Sequence, residues 1–399
     1  MNPDLFRAID RFVGVPGCAV ASGFGLLSPA KAPPKEPRRA LFIQLSEMGS
    51  AVLAQPAVSC FKKAHPSCEL FWLTLAHNRE IADALGLVPP QNVVTIDAWG
   101  FSAFLSSGAK AVARLRALEI DTVFDFELFA RFSALLSFCT GAARRVGFSV
   151  FHQEGLYRGR LLTHPVFYNC HQHMSKNFLA QVLSLSKTGQ TPLLKEAIAD
   201  PLPIPPLSPD PEILARVKER LYDLCPQRAA RHIIVLNPGA GNLLPIRAWP
   251  LEHFVRLGNM ILENLDAMIV ITGPPESRNL GFELSEGLPR DRRADLTGRT
   301  GFSEFLALLS MSQAIITADS GAAHFAGATD TPTVALFGPE TPVLYAPLGK
   351  KTVCLSAGLS CSPCLSAFNH RKTPCTKADC MRAITPESVF AALKRLLEG

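Results

Sequence analysis

The sequence has no run of basic residues of the kind that binds nucleic acid. Its 40 Lys and Arg residues exceed its 34 Asp and Glu residues by only six, and they are spread along the chain. This distribution argues against a DNA or RNA partner and favours anionic small molecules or a membrane surface. Because 48% of the 399 residues are hydrophobic, the chain is globular and long enough to form two domains.

Charge is also missing from residues 12–30, a stretch nearly long enough to span a membrane. Pro16, Pro29 and four glycines interrupt it, so we do not expect a stable spanning helix. The residues before it have balanced charges, unlike a secretory signal, and a basic, proline-rich linker follows. Three interpretations of residues 1–38 stay open: a segment that docks on a membrane interface, a signal or span, and an irregular packed extension.

A dinucleotide-binding fingerprint is absent as well. The run GFGLLS at residues 23–28 follows no strand and lacks the third glycine of that fingerprint. We therefore exclude a dehydrogenase.

From residue 39 onward, strand-length apolar runs alternate with helix-length periodic segments. The first half has the strands ALFIQL, ELFWLTL, NVVTID and TVFDFE, and the second half has HIIVLN, AMIVITG, AIITAD and TVALFG. A proline-rich stretch near residues 200–212 separates the two series. The pattern predicts an α/β protein with two doubly wound, Rossmann-like domains, at residues 39–205 and 206–399, that face each other across a cleft.

The second predicted domain has an anion-binding signal in AIITADSGAAHFAGA. Asp319 and Ser320 suit the start of a helix, and the small residues from Gly321 onward let that helix begin close to a ligand. The positive end of the helix fits a diphosphate, and His324 lies on the same face as Ser320. A capped helix with a packed histidine is the structural alternative.

Two further loops of this domain follow predicted strands. In VLNPGAGNLLPIRAWP, the turn containing Asn237 and Gly239 allows close approach of a ligand, and Arg247 supplies a cation with a forked set of donors. In VITGPPE, Glu276 either favours the dipole of the next helix or accepts hydrogen bonds from sugar hydroxyls. All these loops lie beyond strand ends, where ligands bind in open parallel sheets.

The order of these motifs resembles glycosyltransferase family 9, the lipopolysaccharide heptosyltransferases. The resemblance rests on SEMGS, NPGAG with RAWP, TGPPE, the segment from LTGRTG to FGPETP, and the tail ending in CMRAITPESV, and it covers roughly residues 40–395. It implies a GT-B architecture and inverting, metal-independent transfer of a sugar, typically from ADP-heptose. The acceptor is then a glycolipid or cell-surface glycan, no cofactor is required, and the enzyme works in the cytoplasm, at the inner face of the inner membrane.

The resemblance also implies which residues bind the donor. They are Asp319, Ser320, Gly321 and His324 in the pattern D-[ST]-G-x-x-H, Glu276 in the G-x-x-E loop, and Arg247 where lysine is commoner before x-W-P. Arginine in place of lysine keeps the positive charge. With Asn237 and Gly239, these residues form the expected donor site.

The N-terminal motif departs from the family in one residue. Members of the family have a motif like S-x-L-G-D at this place, and its aspartate is thought to deprotonate the acceptor. The aligned residue in this chain is Ser50, and a serine hydroxyl is not a base at neutral pH. The base is then Glu47, three residues earlier, or another acid such as Asp125 or Glu127. Alternatively, the protein binds a nucleotide sugar without transferring it. Glu47 and Ser50 are the candidate catalytic pair.

A cationic and aromatic region between residues 144 and 177 is the expected acceptor side. Arg144 and Arg158 are the candidates for binding a phosphorylated or carboxylated glycan, in a region that also contains Arg145, Arg160, His152, His164, His171 and His173. The spacing of His171 and His173 is compatible with metal binding, but no third ligand has suitable spacing. An ordinary solvated loop is the alternative for much of this region.

Four of the eleven cysteines cluster near the C-terminus. Cys361, Cys364, Cys375 and Cys380 have C-x2-C-x10-C-x4-C spacing, which suits a structural zinc ion or an iron–sulfur cluster. Reduced packed thiols and disulfides are the alternatives. No catalytic metal is expected.

Overall fold

The computed structural model describes residues 3–27, 32–45, 47–149, 156–200, 204, 206–225, 232–241 and 244–398. The chain divides into two compact units, residues 1–202 and 203–399. Each unit contains one six-stranded sheet in which every strand pair is parallel. The expected α/β class with two doubly wound sheets is therefore confirmed.

The first unit has the strand order β3-β2-β1-β4-β5-β6. Its strands are β1 (Arg39–Ile43), β2 (Glu69–Leu75), β3 (Val93–Ile96), β4 (Thr122–Asp125), β5 (Arg144–Ser149) and β6 (His164–Phe167). Its helices are α1 (Pro3–Phe12), α2 (Gly14–Leu27), α3 (Met48–Ala64), α4 (Arg79–Leu85), α5 (Phe101–Ala117), α6 (Arg131–Cys139) and α7 (Met174–Leu183).

The second unit has the strand order β12-β11-β10-β7-β8-β9. Its strands are β7 (His232–Asn237), β8 (Ala267–Ile271), β9 (Arg293–Asp295), β10 (Ala314–Ala318), β11 (Thr333–Phe337) and β12 (Thr352–Ser356). Its helices are α8 (Pro211–Leu224), α9 (Leu251–Asn264), α10 (Arg278–Glu286), α11 (Phe302–Met311), α12 (Gly321–Ala328), α13 (Pro342–Tyr345), α14 (Asp379–Arg382) and α15 (Pro386–Glu398).

The central strands read as continuous apolar runs because helices cover both faces of each sheet. In the first unit Phe42 stacks on Phe124 at a ring-centroid distance of 5.0 Å. In the second unit Ile234 and Ile316 are fully buried in a core that α9 and α15 complete. Burial of each such side chain contributes about 1.5–3 kcal/mol, so these cores fix the strand ends from which the loops emerge.

The N-terminal residues form two helices, α1 and α2, despite the glycines and proline in this stretch. Pro16 lies in the first turn of α2, where a backbone N–H would have no helical partner. The glycines let α2 approach α6 closely: a side chain at residue 14 would lie 2.6 Å from Cβ of Arg131, and one at residue 17 would lie 3.3 Å from Leu135. Among the described residues, no helix is long and apolar enough to cross a membrane.

Asp10 fastens this helical pair to the domain. Its Oδ1 atom accepts hydrogen bonds from the backbone N–H groups of Arg131 and Phe132, both at 2.9 Å, at the start of α6. Its Oδ2 atom lies 3.2 Å from Nη1 of Arg131, which is almost fully buried. The carboxylate therefore caps a helix more than one hundred residues away in sequence.

Candidate functional site

Both sheets have the Rossmann strand order, so each has one topological switch point. It lies between β1 and β4 in the first unit and between β7 and β10 in the second. Ligands of open parallel sheets bind beyond the carboxyl ends of the strands at such points.

In the second unit, β10 ends at Ala318 and leads through Asp319 and Ser320 into α12. Ser320 has extended backbone angles, and its side chain does not cap the helix. Its hydroxyl instead lies 3.1 Å from Oγ1 of Thr317. The helix begins with Gly321, Ala322 and Ala323, so only small side chains surround its positive end.

Arg247 reaches this point from a short 3₁₀ helix, Pro245–Arg247, that follows β7. Its Nη1 atom donates a 3.1 Å hydrogen bond to Oδ2 of Asp319, which is almost fully buried. Its Nε atom is buried and has no hydrogen-bond partner among the described residues. The structure thus brings Arg247 and Asp319 together across 72 residues and sets a guanidinium beside the start of α12.

Asn237 has a different place from the one expected of a donor ligand. Its Nδ2 atom donates to Oγ1 of Thr272 at 3.1 Å, and its Oδ1 atom lies 3.5 Å from Oγ1 of Thr317. The amide therefore ties the end of β7 to the ends of β8 and β10. It positions the loops from within the sheet.

The loops after β7 and β8 touch at Gly239. A side chain there would lie 2.9 Å from Oγ of Ser277, so a larger residue would require the Ser277 hydroxyl to move. Glu276, the neighbour of Ser277, is exposed at the same edge of the sheet. His324 is almost fully buried one turn into α12, on the face of Ser320.

The loop after β11 contains a buried acid that the motif reading missed. Glu340 is 4% exposed, and its Oε1 atom lies 3.6 Å from Nε of Arg371. Arg371 also donates to the hydroxyl of Tyr345 at 2.9 Å. The segment LFGPETP has the same signal as the loops after β7 and β8, a strand followed by glycine and proline, and that signal could have identified Glu340.

The cysteine-containing tail braces this loop. The backbone N–H groups of Cys364 and Leu365 both donate to the carbonyl of Pro339 at 2.9 Å. All four tail cysteines are free thiols, with Cys361 and Cys375 exposed and Cys380 buried. Burial raises the pKa of the Cys380 thiol, and negative charge on Cys364 and Cys375 raises it further.

The described residues offer no support for a structural metal, which was one of the three interpretations of this tail. No group of three or more His, Cys, Asp or Glu side chains among them is arranged to hold a metal ion. The backbone hydrogen bonds to the loop after β11 are the observed contribution of the tail.

In the first unit, Glu47 and Ser50 meet at the carboxyl end of β1. Glu47 is the N-cap residue of α3, and its backbone carbonyl accepts the N–H of Ser50 at 3.1 Å. The Ser50 hydroxyl donates to Oε2 of Glu47 at 2.8 Å. A half-buried carboxylate thus stands at the switch point, at the positive end of a helix that favours its charge.

The other two acids proposed as a base are engaged in the structure. Asp125 is fully buried and accepts hydrogen bonds from Arg158, from the Ser133 hydroxyl at 2.9 Å and from the Glu127 N–H at 3.1 Å. Burial raises the pKa of Asp125, and these donors act in the opposite direction. Oε1 of Glu127 accepts the N–H of Leu45 at 2.6 Å. Both acids hold the strand ends.

The structure does not support the two arginines expected to bind the acceptor. Arg158 is 2% exposed, forms an ion pair with Asp125 and donates to the carbonyl of Phe148 at 2.8 Å. Arg144 begins β5, at the amino edge of the sheet, and donates to the carbonyl of Pro34. Arg158 is a core ion-pair partner, and Arg144 lies at the edge opposite the switch point.

The histidines of this region form no metal site among the described residues. His173 caps α7, since its Nδ1 atom accepts the N–H of Ser175 at 3.3 Å. Burial lowers the pKa of His164, at the amino edge of the sheet, and the charges of Arg144 and Arg145 lower it further. His152 lies outside the described residues.

Comparison with known proteins finds matches to one family of glycosyltransferases. The model of glycosyltransferase family 9 (heptosyltransferase) matches residues 109–373, more than half of the chain. Lipooligosaccharide heptosyltransferase 2 of Haemophilus influenzae is 30% identical over 162 residues, 39% of this chain and 46% of that protein. The chain thus spans about half the length of the first relatives it matches.

Two longer matches cover most of the chain. Lipopolysaccharide heptosyltransferase 1 of Pseudomonas aeruginosa is 24% identical over 82% of this chain and 86% of that protein. The solved structure of the E. coli ADP-heptose lipopolysaccharide heptosyltransferase II superposes with a TM-score of 0.70 at 20% identity, over 90% of this chain and 98% of that one. This similarity shows the same fold.

Proposed function

Because the chain belongs to glycosyltransferase family 9, we propose that it transfers heptose or a related sugar from a nucleotide-diphosphate donor to a lipopolysaccharide-like or other cell-surface glycan. ADP-heptose is the first donor to test, since a structural neighbour is an ADP-heptose heptosyltransferase. The observation that carries the proposal is the contact of Arg247 with Asp319 beside the start of α12. The acceptor would be met at the cytoplasmic face of the inner membrane.

The chemistry follows from charge at this point. As the bond from the sugar to the diphosphate breaks, the leaving nucleotide gains negative charge. The guanidinium of Arg247 and the N–H groups at the start of α12 are fixed donors that stabilise such charge in the transition state. We therefore propose that transfer needs no metal ion. Asp319 holds the guanidinium in place and lies where hydroxyls of the donor sugar would be bound.

We assign the general base to Glu47. A carboxylate that removes the acceptor proton as the nucleophile attacks the sugar from the face opposite the diphosphate gives inversion. Ser50 is a positioning residue, because its hydroxyl donates a hydrogen bond to Oε2 of Glu47. Asn237 and Gly239 also act by positioning, because they hold the donor loops in place and are not assigned a contact with the donor.

The donor half of the proposal is tested by nucleotide binding. ADP should raise the melting temperature of the protein, because a ligand that binds only the folded state stabilises it. Arg247→Met should weaken ADP binding roughly 10- to 100-fold, the range for losing a hydrogen bond to a charged group. Arg247→Lys, which keeps the charge, should bind within a few-fold of the unmodified protein.

A matched control for Arg247 is Arg278→Met. Arg278 is exposed in the same unit and donates to the carbonyl of Gly298. It should bind ADP normally. Equal ADP binding by Arg247→Met and the unmodified protein would exclude the assigned donor site.

The catalytic half is tested with Glu47→Gln, which keeps the size of the side chain but is not a base. ADP binding should persist, and release of ADP from ADP-heptose in the presence of acceptor should fall at least about 100-fold. The reaction should continue in EDTA. Full activity of Glu47→Gln would exclude Glu47 as the base.

A second function is favoured by one observation, the serine at the position of the family's aspartate. A protein of this fold that binds a nucleotide sugar without transferring it would show the ADP-dependent rise in melting temperature. It would release no ADP in either the unmodified protein or Glu47→Gln.

A further inference from the structure

The two N-terminal helices present an apolar groove on the outside of the first unit. It has a volume of about 620 Å³ and is lined by side chains of α1, α2 and α6, including Phe12, Val20, Phe24 and Phe138. No Asp, Glu, Lys or Arg is among its lining residues. We call this surface the N-terminal groove. It is far in sequence from the residues assigned to transfer.

The two faces of α2 have opposite roles. Small residues on one face pack on α6: Cys18 is fully buried, and its thiol donates to the carbonyl of Arg131. A side chain at residue 25 would lie 3.3 Å from the ring of Phe138. The other face carries large apolar side chains to the surface, with Phe24 63% exposed and Leu27 85% exposed.

The exposure of this face is not explained by a need to pack within the domain. Asp10, Cys18 and Ser22 already attach the helices, and the Ser22 hydroxyl accepts the N–H of Arg160 at 2.8 Å. Six large apolar side chains between residues 12 and 27 are more than one-third exposed: Phe12, Val13, Val20, Phe24, Leu26 and Leu27. A contiguous apolar surface of this kind marks an interaction site.

Three arginines, of which Arg145 is partly buried, lie beside lining residues of the groove. The guanidinium of Arg11 lies 5.8 Å from the ring centroid of Phe12, and that of Arg145 lies 5.6 Å from the ring centroid of Phe138. Arg116 donates from Nε to the carbonyl of Cys139, another lining residue, at 2.6 Å. The nearest acid in sequence, Asp10, is directed to Arg131 and the start of α6.

Apolar side chains at the centre and arginines at the rim match one partner in particular. Anionic phospholipid offers acyl chains for the apolar groups and phosphates for the guanidinium groups. A protein partner would instead need hydrogen-bonding groups on the contact surface, and the lining of the groove has few of them.

We propose that α1, α2 and α6 form a docking surface for anionic phospholipid bilayers, with Phe24 and Leu27 entering the interface and the exposed Arg11 and Arg116 meeting the lipid phosphates. This surface would attach the protein to the membrane. The inference rests on the proposed function in one respect: attachment would give the enzyme access to a lipid-linked acceptor.

The test is sedimentation of the full chain with vesicles. Vesicles of phosphatidylglycerol and phosphatidylethanolamine should bind the protein roughly 25-fold more tightly than pure phosphatidylcholine vesicles, since each of the two arginines near an anionic surface contributes about fivefold. The double variant Phe24→Ser, Leu27→Ser should lose at least about tenfold in binding to the anionic vesicles. Arg11→Gln should lose about fivefold.

The matched control is Phe282→Ser, which removes an aromatic side chain that is 61% exposed in the second unit. It should bind anionic vesicles as the unmodified protein does. Unchanged binding of the double variant, or equal binding to both kinds of vesicle, would overturn the proposal. A dimer that the double variant abolishes, without vesicle binding, would assign the groove to a second copy of the chain and overturn it too.

The ADP-dependent rise in melting temperature separates this inference from the proposed function. The double variant should retain it, because Phe24 and Leu27 are exposed and lie in the unit that does not contain Arg247. Vesicle binding without any effect of ADP would support docking and contradict the donor site. An ADP effect without vesicle binding would do the reverse.

Discussion

The Ser50 hydroxyl donates a 2.8 Å hydrogen bond to Oε2 of Glu47, three residues earlier at the start of α3. Ser50 occupies the position at which related sequences are expected to have an aspartate. The acid of this chain, Glu47, lies three residues nearer the N-terminus, and the Ser50 hydroxyl holds it. The apparent loss of the base is thus a relocation of the carboxylate in our proposal.

This relationship predicts the behaviour of Ser50→Ala. The turnover number should fall roughly tenfold, because a hydrogen bond that orients a charged group is lost, and the KM for the donor should not change. The rate of ADP release at saturating donor measures the turnover number, and a donor titration measures the KM. Ser50→Thr keeps a hydroxyl and is the control. An unaltered turnover number in Ser50→Ala would contradict the positioning role.

The ion pair of Arg158 with Asp125 predicts a loss of stability on substitution. Arg158→Met should lower the free energy of unfolding by about 3–5 kcal/mol, because it leaves a fully buried carboxylate without its cation. Chemical denaturation measures the change. Arg160→Met is the control, since the contact of Arg160 with Ser22 uses the backbone N–H and not the side chain.

The same variant should show a specific dependence on pH. Burial raises the pKa of Asp125, and the variant lacks the guanidinium that opposes this effect. The folded variant would then retain a proton that the unfolded chain releases, so the deficit in stability should be largest near about pH 8 and smaller near about pH 5. A deficit that grows on acidification would contradict this account.

Substitution of Asp10 should cause local unfolding of the N-terminal helices. Asp10→Ala removes the cap of α6 and the partner of the buried Arg131, and it should cost about 2–4 kcal/mol. Because residues 3–27 attach through this carboxylate, their amide hydrogens should exchange faster in the variant. Asp10→Asn keeps an acceptor oxygen and should lose less. Unchanged exchange in α1 and α2 would show that Asp10 does not hold them.

The cysteines should differ sharply in reactivity. Burial raises the pKa of Cys18 to about 11 and that of Cys68 to about 12, and burial with the charge of Asp319 raises that of Cys354 to about 12. Since the thiolate is the reactive form, these three should resist alkylation at neutral pH. The exposed Cys361 and Cys375 should react first, as followed by mass spectrometry.

The tail cysteines provide the decisive comparison in that experiment. Rapid alkylation of Cys361 and Cys375 is expected for free thiols. Protection that a chelator removes would show a bound metal, and protection that a reductant removes would show a disulfide. Either result would contradict the free thiols of the structure.

Much of the fold follows from the sequence because apolar runs of strand length leave few alternatives. The eight strands predicted from these runs are all present. Seven of them lie inside a sheet, where both faces are buried and the residues must be continuously apolar, and β3 lies at a sheet edge. β5, β6, β9 and β12 are not predicted. β5 begins with two arginines, β6 contains a proline, β9 has three residues, and β12 is only partly buried, so their patterns are weak.

The sequence by itself determined the two parallel sheets and the loops that carry Asp319, Arg247 and Glu47, because periodicity and turn residues are local properties of the chain. Only the tertiary structure decided which charged groups meet. It paired Arg158 with Asp125, directed Asp10 to the start of α6, and set Arg247 against Asp319. Such pairings depend on which distant strand ends and helix ends become neighbours, and neither residue type nor spacing encodes that adjacency.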